Sequence, residues 1–220
     1  GSACAGDAPA PRTEPLPLGP NVLLISIDTL RADHLGTYGY ARETSPVIDR
    51  LAAEGVVFEN HISSTSWTLP AHAAIFSSFP DSVHGATDTD RRLADGIDTL
   101  AERFYAAGYA TTGFFAGPYL HPAFGLGQGF EHYRNCTSYA SRLDAPVDAW
   151  AMDAEVMQRS HRDVTNPLVL DAFRSWLAEP RERKFFAFVH LWDVHFDFIP
   201  PPPYDTRFDP DYTGDVTGED

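Results

Sequence analysis

Asn21-Val22-Leu23-Leu24-Ile25-Ser26-Ile27, closed by Asp28, is a continuous apolar, β-branched run of strand length. A run of this kind suits a strand covered on both faces, as in a parallel sheet. Phe185 to Leu191 (FFAFVHL) reads the same way, and Tyr109 to Ala116 is strand-like. Helical segments fall between these runs. Ser45-Pro46 opens one, with Ser45 as N-cap and proline in the first turn, and Gly55 closes it. Leu69 to Ser78 is a helix starting near Pro70, Asp98 to Ala107 is one stopped by Gly108, and Asn166-Pro167 starts another running to Glu179. Val56 to Ile62 is a candidate further strand. Strands alternating with helices indicate an α/β domain whose mostly parallel central sheet is flanked by helices. From Pro200 on, prolines and an acidic, glycine-containing tail read as extended loop, and the expectation is a domain whose C-terminal part is missing from these residues.

The 220 residues are 43% apolar, enough for a sizeable core. Acids outnumber bases 31 to 16, a formal charge of -15, which argues against nucleic acid as a partner because phosphate binding needs a basic footprint. An enzyme this acidic that acts on anions must reverse the field locally, and with Lys184 as its single lysine it must do so through Arg, His or a cation. Two cysteines, Cys4 and Cys136, make no disulfide framework. Residues 1–20 read as a flexible Pro-rich linker, and residues 21–220 as the folded portion. Cys4 follows Gly-Ser-Ala, as at the end of a bacterial lipoprotein signal; the alternative is an incidental cysteine. The expectation is an exported protein of the bacterial periplasm or cell envelope, with Cys4 a candidate lipid tether.

Three segments carry candidate chemistry. In open α/β sheets the site lies beyond the carboxyl ends of the strands, where Asp28 stands as a candidate ligand for a hard cation. The alternative is a turn or N-cap aspartate. Thr68, in Ser66-Trp67-Thr68-Leu69-Pro70-Ala71-His72, sits at a helix start, where free N–H groups and the helix field favour an alkoxide and an anionic substrate. Threonine is a poor nucleophile without activation by a base or metal. His72 lies one turn on and can face the same side. The bland alternative makes Thr68 a simple N-cap and His72 a surface residue. The third segment is His190-Leu191-Trp192-Asp193-Val194-His195, whose imidazoles and carboxylate can serve a metal or an anion; the alternative is a pair of structural histidines. Trp192, Phe196 and Phe198 read as core in preference to an aromatic substrate pocket.

Together these segments resemble the sulfatase family of the alkaline-phosphatase superfamily. The resemblance runs from Asn21 to the end. It rests on the strand ending at Asp28, Thr68-Leu69-Pro70-Ala71-His72, Phe76-Ser77-Ser78-Phe79-Pro80 with Val83-His84-Gly85, and Gly108-Tyr109-Ala110-Thr111-Thr112. Gly127 to Tyr133, His190-x-x-Asp193-x-His195 with Pro201-Pro202-Pro203-Tyr204, and Phe208 to Gly214 complete it.

The resemblance implies an alkaline-phosphatase-like fold and a metal-dependent hydrolase of sulfate or phosphate esters. Asp28 and Thr68 would be metal ligands, with Thr68 also the nucleophile. His72 would occupy the place of the family's arginine beside the nucleophile. His190 would contact the leaving oxygen or the anion, and His195 and Asp193 would be candidates for the same substrate pocket. Calcium is the metal the family favours, with manganese or zinc as alternatives. Four departures qualify this. Thr68 cannot become formylglycine, because oxidation of threonine yields a ketone, so the residue leans toward phosphotransferases and phosphodiesterases. The common Asp-Asp pair is Asp28-Thr29, with Asp33 as an ill-spaced substitute. The lysine-containing substrate segment has no lysine. The later Asp-Asn or Asp-His ligand pair does not occur in these residues. A non-catalytic protein that kept the fold is the reading of another class.

Overall fold

A computed structural model describes residues 19–137, 164–195 and 200–214. Its elements in chain order are β1 (Val22–Ile27), α1 (Pro46–Glu54), α2 (Thr68–Ser77), α3 (Asp81–His84) and α4 (Leu100–Ala106), then β2 (Ala110–Phe115), β3 (His132–Asn135), α5 (Asn166–Ala178) and β4 (Phe185–Leu191). The strands form one sheet in the order β1-β4-β2-β3, every pairing parallel. All four carboxyl ends therefore lie along one edge, and the expected α/β architecture is present.

The two faces of the sheet are packed separately. Leu24 of β1, Phe115 of β2 and Phe188 of β4 meet Leu69, Ala73 and Phe76 of α2. Phe114 of β2 and Val189 of β4 meet Val169 and Ala172 of α5, with Phe173 and Trp176 alongside. Burial of side chains this size is worth about 1.5–3 kcal/mol each, so these layers fix the strands against their helices.

Local sequence accounts for the helix ends. Helix α4 starts two residues later than the run from Asp98 suggests, because Thr99 is a true N-cap. Its hydroxyl accepts from Glu102 N at 3.2 Å, and the Glu102 carboxylate accepts from Thr99 N at 2.7 Å. Ser45 stands at the N-cap of α1 but its hydroxyl makes no cap bond; it accepts from Gly36 N and donates to Asp49 Oδ2, both at 3.0 Å, joining the preceding turn to the helix.

Two expectations are corrected and one strand is added. Val56 to Ile62 is loop, with Val56, Phe58 and Ile62 exposed; β-branched residues make a strand only when a neighbouring strand and a buried face are available. Strand β3 emerges at the sheet edge from His132-Tyr133-Arg134-Asn135, too short and polar to announce itself. Strand β1 is composed like an interior strand yet lies at the other edge of the described strands, and Leu23 and Ile25 are 44% and 51% exposed. Both stand opposite Ala187 and Val189, hence on the α5 face, where α5 packs on β4 and β2.

Gly117 shows how tightly the end of β2 is built. Its φ of 89° with ψ of 150° is a conformation open essentially to glycine, and a Cβ there would meet Trp192 Cε3 at 2.6 Å. Gly117→Ala should therefore destabilise the chain by roughly 3 kcal/mol, read as a lower midpoint in chemical denaturation with an unchanged m-value.

Candidate functional site

On the face of the sheet that carries α2, the side chains change character toward the carboxyl ends. Along β1 they run Leu24, Ser26, Asp28; along β4 they run Phe186, Phe188, His190. Ser26 stands opposite His190 in the register, and Asp28 N continues the ladder by donating to Leu191 O at 2.9 Å. The apolar part of this face packs under α2, and the polar part meets the first turn of α2.

Thr68 is the first residue of that turn. Trp67 stands at the N-cap, and the Thr68 hydroxyl donates to Asp28 Oδ2 at 3.0 Å. Helix geometry leaves the N–H groups of Thr68 and Leu69 without intrahelical partners, and Pro70 has none to offer. Thr68 is 7% exposed and the Asp28 side chain 10%, so this pair is largely shielded from water.

Two buried histidines complete the constellation. His190 Nδ1 lies 3.0 Å from Ala116 O, a group that can only accept, so Nδ1 carries a hydrogen and Nε2 is turned to Asp28 Oδ2 at 3.3 Å. His72 Nδ1 donates to Thr68 O at 2.8 Å, and its Nε2 lies 2.9 Å from Ser26 Oγ, which donates to it. The two rings meet edge to face with centroids 5.0 Å apart.

Burial pushes the His72 imidazole down to about 4, helped by the nearby charge of His190, while Thr68 O and Asp28 oppose the shift. His72 is thus a neutral ring with both nitrogens engaged, holding α2 to β1. Burial opposes ionisation of Asp28, but the contact with His190 and the attraction of the surrounding imidazoles, His190 foremost, whenever they carry a proton outweigh it and hold the carboxyl below its ordinary range.

The remaining sequence candidates divide. His195 stacks on Trp192, centroids 4.0 Å apart, and its charge reaches Asp28. Asp193 faces α5: its Oδ1 accepts from Thr165 N (2.7 Å), Thr165 Oγ1 (2.8 Å) and Asn166 N (3.1 Å), the work of a helix cap. Asp33 is held by Arg31 Nη2 at 2.6 Å and His34 Nδ1 at 3.0 Å, out in solvent. Strand β4 stops at Leu191, and Trp192 joins Phe114 and Val189 on the α5 face, so its reading as core stands. Phe196 and Phe198 lie outside the described residues.

Ser26 and Thr29 were not among the sequence candidates. Ser26 offered a signal, a lone hydroxyl in an apolar strand two residues before Asp28. Thr29 takes φ 51° and donates from Oγ1 to Val194 O at 2.9 Å. A side chain in that left-handed conformation costs about 1–2 kcal/mol.

The sulfatase family model matches residues 20–219, nearly the whole chain. The chain belongs to the sulfatase family. An arylsulfatase of Clostridium perfringens is 32% identical over 97 residues, 42% of this chain and 19% of that protein. A mouse steryl-sulfatase is 34% identical over 114 residues, 47% of this chain and 18% of that protein. Among solved structures, the phosphonate monoester hydrolase of Agrobacterium radiobacter superposes with a TM-score of 0.63 at 25% identity, covering 85% of this chain and 43% of that one. The sulfatase chain thus spans less than half the length of each of these relatives. Family and neighbours agree on an alkaline-phosphatase-like α/β fold for these residues.

Sulfatases are in general metal-dependent, and the residues present were tested against a cation. Among the described residues no group of three or more His, Cys, Asp or Glu could hold one. Asp28 and Thr68 offer two neighbouring oxygen donors, whereas a hard divalent cation takes about six or more. The described donor set does not fit a complete metal site, and no chemical step is routed through a metal below.

Two outcomes are expected. Calorimetric titration of the 220-residue chain with calcium, manganese or zinc should show no tight stoichiometric binding. His72 titrates near 6.5 when unfolded and near 4 when folded. The unfolded chain therefore takes up its proton first as pH falls. Stability from this group is full above 6.5 and is lost toward 4, a total on the order of 3 kcal/mol. Denaturation across that window should show this loss, and His72→Gln should flatten it.

Proposed function

We propose that this chain is the nucleophile-bearing portion of a sulfatase-family hydrolase of sulfate or phosphate esters, with Thr68 as nucleophile. The observation that carries the reading is the Thr68 hydroxyl, 7% exposed in the first turn of a helix and donating to Asp28 Oδ2 at 3.0 Å. The N-cap position belongs to Trp67, so the alternative of Thr68 as a simple N-cap does not hold.

In the reaction, the first-turn N–H groups of α2 attract the anionic oxygens of the ester. Asp28, kept ionised by the histidines around it, orients the Thr68 hydroxyl and accepts its proton. The Thr68 oxygen bonds to sulfur or phosphorus, the bond to the ester oxygen breaks, and a histidine gives the departing oxygen its proton. His190, whose Nε2 faces Asp28 at 3.3 Å, is the first candidate for that role and His195 the second. Water then releases the inorganic anion from Thr68. His72, with both nitrogens engaged, holds the turn that carries Thr68. A divalent metal, calcium first and manganese or zinc as alternatives, belongs to this reading, with Asp28 and Thr68 as two of its ligands.

The second reading is a phosphotransferase or phosphodiesterase of the phosphoglycerol or phosphoethanolamine type. Thr68 favours it, since threonine cannot supply the aldehyde on which formylglycine sulfatases depend, and the likeness to a phosphonate monoester hydrolase agrees with it. A non-catalytic role is opposed by the retained contact of Thr68 with Asp28. The reading extends to export into the bacterial periplasm or envelope, with Cys4 as a lipidation site. Cys4 lies outside the described residues; among the described residues no helix is long and apolar enough to cross a membrane.

In the whole protein, Thr68→Ala should abolish turnover while leaving the thermal midpoint within a few degrees. Parallel assays with an aryl sulfate, an aryl phosphate, an aryl phosphodiester and a phosphonate monoester identify the substrate class. Full activity of Thr68→Ala on every one of them refutes the assignment.

A further inference from the structure

We infer that Thr29 is a positioning residue that latches the loop after β4 onto the end of β1 and thereby fixes where Asp28 and His195 face. The inference rests on the reading of Thr68 and Asp28 as the reactive pair.

Three observations carry it. Thr29 immediately follows Asp28 and adopts φ 51°, one of two non-glycine residues with positive φ among the described residues. For a β-branched residue this conformation is a genuine outlier, which persists only where surrounding contacts impose it. The contact here is specific: Thr29 Oγ1 donates to Val194 O at 2.9 Å across 165 positions of sequence. Val194 lies between two residues anchored in different directions. Asp193 is committed to the N-terminus of α5, and His195 is stacked on Trp192 with its N–H donating to Trp192 O at 2.9 Å.

The geometry gives the latch a purpose. Asp28 N donates to Leu191 O, the last rung of the β1–β4 ladder, so the strands are joined up to that point and free to part beyond it. The bond from Thr29 closes the two chains again, one residue further along after β1 and three residues further along after β4. Between the two ties sits the Asp28 carboxylate, with Thr68 Oγ1 at 3.0 Å and His190 Nε2 at 3.3 Å on the same oxygen. The left-handed turn at Thr29 ends the strand abruptly, so the chain leaves the sheet edge directly after Asp28. Glycine would adopt that turn without strain, but it could not tie the loop carrying Trp192, Asp193 and His195. A hydroxyl on this residue does both, at the cost of the strain.

The test compares Thr29→Val, which keeps the shape and loses the hydroxyl, with Thr29→Gly, which loses the hydroxyl and relieves the turn, and Thr29→Ser, which keeps the hydroxyl. All three are made in the whole protein, with Thr68→Ala alongside. The expected result is a kcat lowered roughly ten- to hundredfold in Thr29→Val and Thr29→Gly with KM changed by less than about threefold, and near-normal kcat in Thr29→Ser. Amide exchange at Trp192 to His195 should quicken in the first two variants and stay unchanged in Thr29→Ser. Exchange and kcat unchanged in Thr29→Gly overturn the inference. So does an equal loss in all three variants, because the hydroxyl would then be irrelevant. If Thr68→Ala remains active, the functional reading fails by itself, and the exchange data still decide whether the latch exists.

Discussion

The parallel pairing of β1 with β4, in the register that sets Ser26 opposite His190, is the constraint on which the site depends. Because side chains alternate between faces, a slip of one residue would turn Ser26 and Asp28 away from α2 and toward α5. Thr68 would lose its acceptor and His72 its partner on β1. The register is held by apolar residues on both faces: Leu24 and Phe188 belong under α2, and Val189 belongs against α5. The packing that stabilises the fold is therefore also what aims the polar ends of the strands.

Within that frame the two buried histidines divide the work. They touch edge to face and look alike in sequence, but their hydrogen bonds make them different groups. His72 is tied at both nitrogens and stays neutral, so it holds α2 against β1. His190 is tied at Nδ1 alone, and its Nε2 is left facing Asp28. With both His72 nitrogens engaged elsewhere, the contact with Asp28 Oδ2 is left to His190 Nε2 at 3.3 Å.

Much of this was legible in the sequence, for physical reasons that differ by residue. NVLLISI and FFAFVHL announced strands because parallel strands covered on two faces need apolar residues at successive positions. Asp28, Thr68 and His190 could be singled out because each sits at the end of an element whose end is readable. His72 could be placed near Thr68 by helical spacing, but which atoms its nitrogens would meet depended on how α2 docks on β1. Asp193 looked the same in sequence whether it faced a substrate or capped a helix, and only the approach of the Thr165–Asn166 turn decides between them. Val56 to Ile62 had strand composition and no partner among the described strands. The conformation of Thr29 had no sequence signal, because a β-branched residue is the last place a left-handed turn is expected.

The central claim is that the Thr68 oxygen becomes bonded to the sulfur or phosphorus of the substrate. The most direct measurement is rapid acid quenching of the whole protein during turnover of a reactive aryl ester, followed by peptide mass analysis. The account predicts one sulfuryl or phosphoryl group on the peptide containing Thr68, localised to that residue and absent in Thr68→Ala. Quenched enzyme that is turning over under conditions where the bond-making step is faster than its hydrolysis, yet carries the group on another residue or on none, would contradict it.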